Sequence, residues 1–167
     1  MKMVFDASTL ILLAKVELLR EITDEFRIII PVSVKKECLI KEGIDAKLIE
    51  TLIAEKRIEV RTVRDTEEVR KLQRDFRIEA GEAKALWLAM ILNCPLAVDD
   101  GPTIKACKVM GRGFTTAIHF LLSSASRHKL GISIAEEKLE RLSRYGRYNK
   151  RIIEDASKRL KGGKKWA

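Results

Sequence analysis

Met3-Val-Phe-Asp6-Ala-Ser8-Thr-Leu-Ile-Leu-Leu13 sets a strand, an acid and the start of a helix end to end. Met3-Val4-Phe5 is short and apolar throughout, as a strand buried on both faces should be. From Ser8 to Ile22, Leu12, Val16 and Leu19 recur at i, i+4 and i+7, with Leu18 and Ile22 beside them, which is the spacing of a helix with one buried stripe. The same order returns twice. Ile28-Ile-Ile30 leads into a helix around Val34 to Ile40, and Leu96-Ala-Val98 leads through Asp99-Asp100-Gly101 into a helix opened by Pro102 and closed near Gly111. Strands alternating with helices predict an α/β fold around a parallel sheet.

Between these units, Asp45 is positioned to cap a helix whose stripe is Leu48, Ile49, Leu52 and Ile53. Ile58-Glu-Val-Arg-Thr-Val63 alternates like a strand with one solvated face, which places it at the sheet edge. A charged helix from Thr66 to Phe76 precedes residues 82–92, a stretch apolar on nearly all sides that predicts a central buried helix. Phe114-Thr115 reads as the last strand. From Ala117 the pattern is helical, over 117–128, 134–144 and 149–161, with Ser133 to Glu136 matching a capping box. Gly162-Gly163-Lys-Lys-Trp-Ala167 reads as a frayed tail. The expected organisation is a single domain, with a core over residues 1–128 and a basic helical extension over 129–167.

The chain has 167 residues, of which 46% are hydrophobic and 34% charged, which suits a soluble globular domain able to bury a core. No apolar run approaches the roughly 18 residues of a membrane span. Nothing before Asp6 leaves room for a signal peptide, so the expected location is the cytoplasm. Cys38, Cys94 and Cys107 are odd in number and lack a C-x-x-C pair, which argues against a disulfide framework or structural zinc site. The net charge of +9 is concentrated: 13 Lys/Arg face 5 Asp/Glu from Arg127 onward, while residues 1–126 hold the other 20 and 19. Such an extension suits a polyanionic partner. Arg141, Arg144, Arg147, Lys150 and Arg151 are the candidates to grip phosphates, and Tyr145 and Tyr148 flank Gly146 where rings could stack on bases.

The acids carry the chemistry. Asp6 and Asp99 end strands, and in a parallel sheet ligands gather beyond those carboxyl ends. Glu37 sits at the edge of its helix's apolar stripe, and Glu82 shares a face with Leu86 and Ala89. Each acid also has an ordinary reading, as a helix cap or as a first-turn acid favoured by the helix dipole. Their joint pattern points elsewhere. Two carboxylates about 5 Å apart repel by roughly 3 kcal/mol at an effective dielectric near 20, so a convergent set needs protons or cations between its members. Hard oxygen ligands select Mg²⁺ or Mn²⁺ over zinc, and such ions activate water for phosphodiester hydrolysis. Asp6, Glu37, Glu82 and Asp99 are therefore the expected catalytic and metal ligands, with Asp100 as the alternative fourth.

Asp6-Ala-Ser-Thr-Leu-Ile11, Pro31-x-x-Val34-x-x-Glu37, Gly81-Glu-Ala-x-Ala-Leu-x-Leu-Ala89 and Val98-Asp-Asp-Gly101, in that order, resemble the PIN-domain family over about residues 1–120, and most of all VapC-like ribonuclease toxins and related archaeal PIN proteins. The resemblance implies a three-layer α/β/α fold with a central parallel sheet and Mg²⁺/Mn²⁺-dependent endoribonuclease activity on RNA. It also implies frequent homodimers and often a small antitoxin partner encoded alongside. The family's four acids fall on Asp6, Glu37, Glu82 and Asp99 or Asp100, and its small hydroxyl residue near the first acid falls on Ser8. Three features depart from the toxin pattern: a third acid that is Glu, an Asp-Asp-Gly in place of a Thr-Arg-Asn type motif, and a longer, more basic tail. The alternative from another class is a non-catalytic PIN-type nucleic-acid-binding or scaffolding module.

Overall fold

The computed structural model describes residues 1–162, so all of the expected tail but Gly162 lies outside the described residues. Contacts divide the chain into two compact units, Met1–Thr115 and a second beginning at Thr116.

The first unit is built on a five-stranded, all-parallel sheet of order β3-β2-β1-β4-β5. Its strands are β1 (Lys2–Phe5), β2 (Arg27–Pro31), β3 (Ile58–Arg61), β4 (Leu96–Ala97) and β5 (Phe114–Thr115). Parallel neighbours require crossovers, which helices α1 to α7 supply. The chain winds outward from β1 through β2 to β3, then crosses back to add β4 on the other side of β1. The result is the three-layer α/β/α arrangement. Met3, Val4, Phe5, Ile28, Ile29 and Ile30 are all buried, which explains why β1 and β2 read as continuous apolar runs. Edge strand β3 carries Glu59 clamped by Arg27 and Arg61, whose hydrogen bonds hold its carboxyl below the usual range. Charge on an exposed edge hinders pairing with another chain.

Several boundaries differ from those expected. The stretch from Ser8 to Ile22 is two helices, α1 (Ala7–Lys15) and α2 (Leu19–Glu25), separated where Glu17 takes a left-handed backbone (φ 59°). The apolar stripe continues across the break, with Val16, Leu18, Leu19 and Ile22 all fully buried, so periodicity alone could not reveal it. Helix α3 (Val32–Leu39) follows β2 directly, and α4 (Ile44–Ala54) is capped by the extended backbone of Gly43. Asp45 is thus not the cap: it lies in the first turn, 3.9 Å from Lys15 Nζ. Helices α5 (Glu67–Phe76, capped by Thr66), α6 (Ala80–Ile91) and α7 (Gly101–Val109) complete the unit. As expected, α6 buries Ala83, Ala85, Leu86, Leu88 and Ala89.

The second unit comprises α8 (Ala117–Ser126), α9 (Ile132–Tyr145) and α10 (Lys150–Lys161), each packed on the other two. Helix α9 begins one residue before Ser133, with Gly131 at its cap, so the capping box expected at Ser133–Glu136 does not form. Asn149 caps α10, accepting a hydrogen bond from the Ile152 amide at 2.9 Å. Among the described residues, no helix is long and apolar enough to cross a membrane.

Candidate metal and nuclease site

Where the winding reverses, between β1 and β4, the strands' carboxyl ends leave a crevice, and the chain places acids there. Asp6 follows β1 and its amide bonds to Ala97 O at 2.9 Å, so the backbone itself fixes its position beside β4. Its carboxylate is the N-cap of α1 and only 2% exposed. One oxygen, Oδ2, accepts from Ser8 Oγ at 2.8 Å and from the Ser8 amide at 3.4 Å. The other, Oδ1, is buried with no hydrogen-bond partner. Burial raises the Asp6 pKa, Ser8 and the Ala7 amide oppose the rise, and nearby Asp100 adds to it.

Glu37 and Glu82 come from different helices to the same neighbourhood. The Glu37 carboxylate lies against the first turn of α6, its Oε2 3.4 Å from where a Cβ on Gly81 would stand, an ordinary contact distance. Burial raises the Glu37 pKa, followed by the charges of Asp6 and Glu79. Glu82 is pushed up to about 7, again chiefly by burial. A hydrogen bond from the Glu79 amide to Oε2 at 2.7 Å opposes this, while the charges of Asp100, Asp6 and Glu79 reinforce it. The first-turn reading of Glu82 therefore holds. It completes a capping box with Glu79 and also shares the field of Asp6 and Asp100.

The Asp99-Asp100 pair is divided. Asp100 is the N-cap of α7, its Oδ2 taking Thr103 Oγ1 at 2.7 Å and the Thr103 amide at 3.0 Å. Asp99 turns to α1: its Oδ2 accepts from Thr9 Oγ1 at 2.6 Å, and its amide donates to Ser8 Oγ at 3.0 Å. Ser8, expected beside substrate, thus joins Asp6 to the backbone of Asp99. Sequence reasoning missed Thr9, Thr103 and Glu79. Thr103 meets Asp100 three residues before it, a local N-cap contact, whereas Thr9 lies inside an apolar helix and only the fold shows that it meets an acid.

Among the described residues, no three Asp, Glu, His or Cys side chains stand close enough to hold one metal ion. Asp99, Asp100 and Glu82 each give one oxygen to a protein donor, which leaves the other oxygen of each carboxylate outside those bonds. The chemistry of the set nonetheless fits a hard cation. Its donors are all carboxylate oxygens, their charges raise one another's pKa values, and Asp6 Oδ1 is buried without a partner. Cys38, next to Glu37, is a buried thiol whose pKa is pushed up to about 12, chiefly by burial.

The phosphate-gripping candidates lie in the second unit. Arg141 and Arg144 are on α9, Arg147 is in the turn before α10, and Lys150 and Arg151 are in its first turn. All but the half-buried Arg141 are exposed. Arg144 pairs with Glu140 at 2.7 Å, and Lys150 lies 3.8 Å from Glu154. Tyr148 packs on Gly146, where a Cβ would stand 2.3 Å from its ring, while Tyr145 is exposed.

A doubly wound parallel sheet with a buried acid after its first strand and further acids around the switch point defines an α/β domain with acids gathered at the carboxyl ends of its strands. A family model described as a PIN domain matches residues 2–161, and the chain belongs to the PIN-domain family. PIN domains are generally nucleases and typically use divalent metal ions, which implies a nucleic-acid substrate. In a comparison with curated proteins, none matches this chain.

Proposed function

We propose that this PIN domain is an endoribonuclease that hydrolyses RNA phosphodiester bonds with Mg²⁺ or Mn²⁺ held by Asp6, Glu37, Glu82 and Asp99, and with Asp100 as the alternative fourth ligand. The observation that carries the reading is Asp6 Oδ1, a buried carboxylate oxygen with no protein donor, in the shared field of Glu37, Glu82 and Asp100. A bound divalent cation activates water and stabilises the leaving oxygen of an in-line displacement. The chain's own work is to hold that charge in place. Ser8 fixes one Asp6 oxygen, the other is buried without a hydrogen-bond partner, and Glu37 lies against the first turn of α6. The core over residues 1–128 bears the acids, and the basic extension over 129–167 grips the strand through Arg141, Arg144, Arg147, Lys150 and Arg151.

The test is cleavage of labelled single-stranded RNA in Mn²⁺ or Mg²⁺, beside EDTA and beside Asp6→Asn. Cleavage that needs metal and is lost in the variant is the expected result. Cleavage unaffected by either would sink the reading. The finer expectation is a cytoplasmic homodimer that acts as the toxin of a toxin–antitoxin pair. A small protein encoded alongside, which binds the chain and silences it, would support that; the absence of any such neighbouring frame would end it.

One observation favours a second reading, a non-catalytic nucleic-acid-binding or scaffolding PIN module: among the described residues no three acids share one coordination point. In that case the chain binds RNA without turning it over, and Asp6→Asn changes neither binding nor metal response.

A further inference from the structure

Thr9 is fully buried on α1, and its hydroxyl lies 2.6 Å from Asp99 Oδ2, ninety positions along the chain. A buried hydroxyl needs a partner, and a helical threonine can find one on the carbonyl of the preceding turn, so contact with a carboxylate is not a requirement of burial. The bond is short. It does not act alone. Ser8, one residue earlier, accepts from the Asp99 amide at 3.0 Å while donating to Asp6 at 2.8 Å. The first turn of α1 therefore grips both the backbone and the side chain of Asp99, and the same turn carries Asp6 at its cap. Asp100 is held separately, by the buried Thr103 of its own helix.

We propose that Thr9 is a positioning residue of the acid cluster: its buried hydroxyl holds the Asp99 carboxylate against α1 and so fixes the span between the acid that follows β1 and the acids that follow β4. The assignment rests on the metal-site reading above, and its role is to act through Asp99 rather than to touch metal or substrate. Partners that orient metal-binding carboxylates typically contribute about 10–100-fold to metal affinity. Thr9→Val removes the hydroxyl and keeps the branched shape. Thr9→Ser keeps the hydroxyl and loses a methyl group.

Two measurements on the full chain decide it. First, thermal melts in EDTA of Thr9→Val, Asp99→Ala and the double variant form a cycle that does not depend on metal, Ala being chosen because Asn would keep an acceptor for the hydroxyl. Non-additive shifts are expected, because each single change breaks the same bond; additive shifts would overturn the proposal. Second, calorimetric titration with Mn²⁺ alone should show roughly a tenfold or greater loss of affinity in Thr9→Val and recovery in Thr9→Ser. Wild-type affinity in Thr9→Val, with Asp6→Asn losing Mn²⁺, would reduce Thr9 to a core residue while leaving the metal site standing. If Mn²⁺ binds neither the wild type nor any variant, the metal-site reading fails, and a positioning role for Thr9 toward metal fails with it; the cycle in EDTA then reports only whether the hydrogen bond exists.

Discussion

A carboxylate shut away from water is costly to ionise unless positive charge or donors offset the lost hydration. Asp6 takes both Ser8 donors on one oxygen, its charge adds to the cost of ionising Glu37 and Glu82, and Asp100 adds to its own. The pKa values of Asp6, Glu37 and Glu82 are all raised, Glu82 to about 7, so the folded chain holds these protons more tightly than the unfolded chain. The stability they contribute is complete below the ordinary carboxylate range and is lost as pH rises toward 7. In EDTA, Tm should therefore fall between about pH 5 and pH 7.5, and saturating Mn²⁺ should flatten that fall. Glu82→Gln keeps an acceptor for the Glu79 amide but removes the titrating group, so its Tm should fall less over the same range. Melts of both proteins across that range check this, and equal slopes would mean the Glu82 carboxyl titrates as it would in the unfolded chain.

Elements in this chain often end on left-handed backbone at residues other than glycine: Glu17, Lys56, Arg77, Asn93 and His128 all have positive φ. For a side-chain-bearing residue other than Asn this is strained. Arg77 closes α5 at φ 53° and is exposed, so Arg77→Gly should stabilise by about 0.5–1 kcal/mol, the balance of relieved strain against glycine's greater unfolded freedom. At this chain length that is a rise in Tm of roughly 1–4 °C, measured by thermal melting. Gly146 runs the other way. Its φ of −92° suits any residue, but a Cβ would meet the Tyr148 ring at 2.3 Å and Leu142 O at 3.0 Å. Gly146→Ala should therefore lower Tm by displacing Tyr148, and an unchanged Tm would show that the ring gives way freely. These features mark how far the sequence could be read. The strands β1 and β2 were legible because burial on both faces leaves an uninterrupted apolar run. The acids after β1 and β4 were legible because a charge ending such a run is conspicuous. The α1–α2 break was hidden because the apolar stripe crosses it, and the α4 cap because Gly43 offers no side chain to recognise. Thr9 was invisible for a different reason: its partner lies ninety residues away, and nothing local distinguishes it from a threonine that merely fills the core.

At the scale of the whole molecule, charge is divided along the chain. The acids belong to the first unit and most of the net charge of +9 to the residues after Arg127. Carboxylates repel a phosphate backbone unless cations offset them, so under the proposed function affinity for RNA has to come from basic residues elsewhere. Arg147 and Arg151 are exposed and close together in sequence at the start of α10, where the helix N-terminus adds to their positive potential. Each phosphate contact on a single strand contributes about 0.7 to the slope of log affinity against log salt. Replacing both arginines with alanine should therefore reduce that slope by about 1.4, with little dependence on RNA sequence. The measurement is fluorescence anisotropy with labelled single-stranded RNA across a salt series, in the Asp6→Asn background so that the strand stays intact. An unchanged slope would mean these arginines form a solvated helix face, and the polyanion-binding surface would have to be sought on the remaining basic residues of α9 and α10.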